Sequence, residues 1–133
     1  MLFINRLMLC TCFMVLSPII ASAQDIAGRY TVMGINEDGS AYAGFVDIVD
    51  SGSAFTLTWE DKGKQYAAGL GLLEGQVLSV IFQTSTGDIG LASYRREAKA
   101  LVGRWLFPGH PKINTETLTP MDPRLDDGPR QKL

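Results

Sequence analysis

The 133-residue chain is poor in the side chains most used as bases, nucleophiles and metal ligands: it has one histidine, His110, and two cysteines, Cys10 and Cys12. A lone imidazole cannot build a histidine metal site, and any Ser-His-Asp set would depend on His110, which sits between Gly109 and Pro111 in a loop. No Gly-x-Ser-x-Gly elbow occurs. Excess positive charge is missing too, with 12 bases against 14 acids and a net charge of -2. That balance excludes a nucleic-acid binder, which needs a basic face to displace counterions from phosphates. The stretch Asn36–Ser40 has oxygen ligands but lacks a twelve-residue calcium loop with its terminal glutamate. The residues therefore call for no cofactor and no metal, and we expect no enzyme.

A membrane-length apolar run is also lacking. The longest, Leu7 to Ala21, is 15 residues, short of the roughly 18 to 20 that span hydrocarbon. It follows Arg6, is broken by Ser17-Pro18, and ends in the small residues Ala21-Ser22-Ala23. This three-part pattern predicts a signal peptide over residues 1–23, cleaved between Ala23 and Gln24, and hence export to the periplasm or beyond. The mature chain would hold 110 residues, 11 bases against 14 acids for a net charge of -3, and no cysteine. It would have no disulfide, no thiol chemistry and no membrane span, and its stability would rest on one hydrophobic core.

What is present is alternation. From Gly28 to Thr119 no sustained 3.6-residue apolar period appears, while short alternating runs and turn signals follow one another. Phe55, Leu57 and Trp59 alternate with Thr56, Thr58 and Glu60 in the clearest half-buried strand. Eight strands are predicted, at about 28–36, 41–49, 55–60, 65–73, 76–83, 89–95, 100–107 and 116–119. Asp-Gly and Glu-Gly turns link several of them. Turns this short impose antiparallel neighbours. Asp47, between Val46 and Ile48, has the parity of an outward residue. The predicted fold is all-β, a single antiparallel meander over residues 24–120, followed by a disordered tail over 121–133 that has almost nothing to bury.

A meander of eight strands forms a sandwich or a closed barrel, and closure is favoured because it removes both free edges. Gly34, Gly44, Gly69, Gly71, Gly90 and Gly103 fall inside strands, where a sharply bent sheet or a close approach to the backbone accounts for them. Tyr30, Tyr42, Trp59, Tyr66, Tyr94 and Trp105 also lie in strands and are the candidate ligand-binding residues. Around one end of a barrel they would form a pocket for a small apolar molecule, set against Trp59 and Trp105. Alternatively they fill the interior, since eight strands enclose just enough room for side chains or one small ligand. In that case function would pass to the outer surface, as a module binding a host matrix or envelope macromolecule.

Gly28-Arg29-Tyr30, the meander and Gly103-Arg104-Trp105 resemble the calycin barrels, lipocalins and avidins, whose first strand carries Gly-x-Trp. Here Tyr30 replaces that tryptophan and Gly-x-Trp falls in the seventh strand. The biotin-binding polar set has no residue-by-residue counterpart, so biotin is not implied. A broader resemblance covers most of the mature chain. It runs through Tyr30-x-Val32-x-Gly34-x-Asn36-x-Asp38-Gly39-Ser40-x-Tyr42-x-Gly44, Phe55-x-Leu57-x-Trp59, Gly69-x-Gly71 and Glu116-Thr117-Leu118-Thr119-Pro120. This pattern is similar to that of small exported proteobacterial proteins, some labelled fibronectin-binding. It implies a calycin-like barrel and export, and carries no active-site residues.

Overall fold

A computed structural model describes residues 25–110 and 112–121. The leader expected over 1–23, with Cys10 and Cys12, and the tail from residue 122 onward lie outside the described residues. Met121, assigned from sequence to the tail, is held to the first strand, its N–H donating to the Arg29 carbonyl at 2.9 Å.

Eight strands follow in chain order: β1 (Gly28–Ile35), β2 (Ala41–Asp50), β3 (Phe55–Asp61), β4 (Lys64–Glu74), β5 (Val77–Thr84), β6 (Ile89–Glu97), β7 (Ala100–Leu106) and β8 (Asn114–Pro120). Each pairs antiparallel with the next, and β8 returns to β1 to close the barrel. The predicted meander and its closure are both present. The last strand begins two residues earlier than the sequence suggests, because Asn114 is buried and pairs with Trp105.

Turn chemistry sets the register. In the β1–β2 turn the Gly39 N–H donates to the Asn36 carbonyl at 2.9 Å and the Asn36 N–H to Ser40 at 2.8 Å. The β5–β6 turn repeats this through Gly87 to Thr84 and Thr84 to Asp88. Gly39 and Gly87 adopt φ of 84° and 93°, a region open to glycine at no steric cost. Strand parity then sorts the two faces. Val46 and Ile48 are buried, and Asp47 points outward as its parity requires, pairing with Arg29 at 2.8 Å.

The two ends of the barrel differ. At one end, here the lower, Ile26, Ile48, Leu57, Leu78, Leu101 and Leu118 are each no more than 2% exposed and fill the lumen. Burying such a side chain contributes about 1.5–3 kcal/mol. The upper end, bounded by the β1–β2, β3–β4 and β5–β6 turns and the β7–β8 loop, is built from rings and glycines. Cross-strand register sets Tyr42 opposite Gly34, Phe82 opposite Gly90 and Tyr94 opposite Gly103. A methyl group at any of these three glycines would overlap the facing ring. Gly44 and Gly69 instead let a neighbouring carbonyl approach, that of Glu60 and of Ile81. Strand glycines thus serve close approach more than bending. Gly90→Ala should lower stability by about 1–3 kcal/mol, the usual cost of forcing extra volume into a packed site. Urea unfolding checks this, and an unchanged midpoint would show that Phe82 can move aside freely.

Candidate functional site

Seven strands, β2 to β8, and the segments that join them line a cavity of about 580 Å³ at the upper end. Trp59 arrives on β3, Phe82 on β5, Tyr94 on β6, Trp105 on β7 and Tyr42 on β2, while Phe107 follows β7 in the loop. The rings meet edge to face or tilted. Trp105 and Phe107 have centroids 5.5 Å apart, Phe82 and Phe107 5.8 Å, and Trp59 and Phe82 5.9 Å. These are the separations at which aromatic quadrupoles attract.

Tyr66 reaches the cavity by a different route. The β3–β4 register shifts between Trp59 and Glu60, so that Trp59 faces Ala67 while Glu60 faces Gln65, and Tyr66 is the extra residue. Its carbonyl accepts from the Ser85 N–H at 2.8 Å, outside the β3–β4 ladder. Such a bulge at a barrel rim re-aims a side chain, and here it swings Tyr66 over the mouth beside Asp61 and Lys64.

At the floor lies Glu116, on β8, 6% exposed. Its Oε1 accepts from the Tyr94 hydroxyl at 2.8 Å and the Trp59 indole N–H at 3.2 Å, and its Oε2 accepts from the Tyr42 hydroxyl at 2.6 Å. Trp105 joins the network by donating its indole N–H to the Tyr42 oxygen at 2.9 Å. Burial, and after it the charge of Glu116, pushes the Tyr42, Tyr66 and Tyr94 hydroxyls well above their ordinary range. Removal of a phenolic proton here would create a second negative charge in a desolvated space. The Tyr66 hydroxyl is buried and has no hydrogen-bond partner among the described residues.

Of the six candidates read from sequence, the structure brings Tyr42, Trp59, Tyr66, Tyr94 and Trp105 around this cavity. Tyr30 does not belong with them. It faces inward but near the filled end of β1, where its hydroxyl donates to the Ile26 carbonyl at 2.7 Å and helps close the barrel. Sequence reasoning missed Glu116, although its parity with the buried Leu118 two residues on marks it as inward. It also left Phe82 and Phe107 out of the site. His110 is an exposed loop residue, its Nδ1 3.3 Å from Glu37 on the β1–β2 turn. Among the described residues, no three His, Cys, Asp or Glu side chains are grouped to hold a metal.

No family model matches this chain, and no curated protein matches it. Solved structures do. A redesigned β-barrel, mFAP1, bound to DFHBI, is similar over 71% of this chain and 94% of that one, at 14% identity and a TM-score of 0.61. A fluorescence-activating β-barrel designed de novo is similar over 71% of this chain and 93% of its own length, at 13% identity and a TM-score of 0.56. At such identities the likeness establishes the closed β-barrel fold.

Two outcomes are expected from this geometry. Trp59→Ala removes a ring that is 3% exposed and should destabilise the protein by about 3–5 kcal/mol in urea unfolding. The chain has four tyrosines, and burial raises the pKa of each above its ordinary value. They are neutral in both states below the unfolded value of about 10, so they add no pH dependence there. As pH rises above about 10 the unfolded chain ionises first and stability falls. Phenolate absorbance at 295 nm should therefore appear together with loss of the near-ultraviolet circular dichroism, and a titration near pH 10 with the fold intact would contradict the site described.

Proposed function

We propose that this protein is an exported, non-enzymatic binding protein that holds a small, largely apolar molecule in the open end of its barrel. The observation that carries the reading is the cavity: about 580 Å³, within the roughly 300–1,000 Å³ usual for small-molecule pockets. Seven of its fifteen lining residues are aromatic, and the filled lower half beneath it forms a rigid base. The similar barrel bound to DFHBI supports the reading, since it carries a small molecule on the same fold. Export rests on the leader pattern over residues 1–23 and on the resemblance to small exported proteobacterial proteins.

A second reading has its own observation. Leu70, Ile81 and Leu91 are 57%, 51% and 50% exposed, and the register sets them side by side across β4, β5 and β6. Such a row suits a surface module that binds a macromolecule of the envelope or of a host matrix.

Both tryptophans of the chain line the cavity, so their fluorescence reports its occupancy. Titration with the neutral planar dye Nile red should quench them. Trp105→Ala should weaken the dye at least about tenfold, as loss of a central aromatic contact does, while Ile81→Ser on the outer face leaves it unchanged. Dye binding that responds to Ile81→Ser and not to Trp105→Ala would move the function to the outer face.

A further inference from the structure

We infer that the cavity selects organic cations, reading their charge through Glu116 at the floor and their apolar body through the aromatic wall. This rests on the small-molecule reading above and adds the chemical class of the ligand. The first observation is a carboxylate that is 6% exposed and takes part in no salt bridge among the described residues. A buried charge is costly unless it is paired and hydrogen-bonded. Glu116 has the hydrogen bonds without the counter-charge: its three donors are two phenols and an indole, all neutral. They orient the carboxylate and leave its negative charge uncompensated. A carboxylate offers about four lone-pair sites, and Oε2 accepts one bond where Oε1 accepts two, so acceptor capacity remains.

The second observation is the wall. Trp59, Phe82, Trp105 and Phe107 surround the space above Glu116. The face of an aromatic ring is the negative end of its quadrupole, and a cation within about 6 Å of the centroid is attracted to it, most strongly when desolvated. The field of Glu116 extends beyond its hydrogen-bond partners, since it also disfavours ionisation of Tyr66, which it does not touch. At the mouth Asp61 and Lys64 offset each other, so the net charge of the lining is that of Glu116. An anion would meet uncompensated repulsion, and a neutral molecule would leave the buried charge unpaired.

Thioflavin T, a benzothiazolium cation, and its uncharged analogue lacking the methyl group on the ring nitrogen share one aromatic framework and differ in charge. Isothermal titration of the wild-type protein should give at least tenfold tighter binding of the cation. Glu116→Gln should reduce that ratio at least fivefold, with near-ultraviolet circular dichroism confirming the fold. Tyr42→Phe, which removes one neutral donor from Oε2 and leaves the charge in place, should raise the ratio, so the inference stays open to test if Glu116→Gln does not fold. Equal binding of the two probes to the wild type, or a ratio unmoved in both variants, overturns cation selection while the small-molecule reading stands. If neither probe nor Nile red quenches Trp59 and Trp105, both readings fall together.

Discussion

The carboxylate of Glu116 is the constraint around which the upper half of the barrel is arranged. It accepts from Tyr42 on β2, Trp59 on β3 and Tyr94 on β6, and Trp105 on β7 is tied in through the Tyr42 oxygen. Three strands are thereby bonded across the lumen to β8, and β7 to β2, in addition to the ladder that runs around the barrel. The dependence is mutual. Without the carboxylate, the hydroxyls of Tyr42 and Tyr94 and the indole N–H of Trp59 would lose their acceptor, at about 1–3 kcal/mol each. Without the rings, a charge at that depth would have no hydrogen bonds to hold it. Because the tips converge on Glu116, the flat parts of the rings are left to form the cavity wall.

That arrangement needs room beside the strands, and glycine supplies it. An eight-stranded barrel has space for its own side chains or for one small ligand, so an open end requires rings that lie against the wall and not across the lumen. Tyr42 lies over Gly34, Phe82 over Gly90 and Tyr94 over Gly103. Each ring occupies the volume a neighbouring side chain would have taken. At the lower end the inward positions carry Ile48, Leu57, Leu78, Leu101 and Leu118, each no more than 2% exposed, which fill the lumen. Thus one barrel is filled at one end and open at the other through residue size alone.

Much of this was legible in the sequence. Strand number, order and antiparallel pairing follow from turn spacing and alternation, both of which are local, while closure follows from the removal of free edges. Five of the six candidate aromatics do line the cavity. Tyr30 misled because parity tells which face a residue occupies and not how far along the axis it sits; only the register, which places Tyr30 opposite Val46 and Pro120, puts it at the filled end. Tyr66 faces the mouth because of a bulge that alternation does not encode. Glu116 is the instructive miss. Its period-two relation to Leu118 was visible, but a glutamate between two threonines reads as solvent-facing until the rings that bond it, some 22 to 74 residues away in sequence, are brought together.

The position of Glu116 along the axis also bears on what the site can recognise. It lies where the filled half ends and the open half begins, two residues above Leu118 on the same face of β8. On the binding reading proposed above, a molecule entering from the mouth would pass the aromatic wall before its leading end met the carboxylate, so apolar contact and charge recognition would be separated along one path. The closed ladder and the aliphatic lower core hold the wall in place. A preformed site of this kind would spend little binding energy on ordering side chains, and on the proposed reading discrimination would rest on how well the leading end of a ligand answers a carboxylate already fixed by three donors.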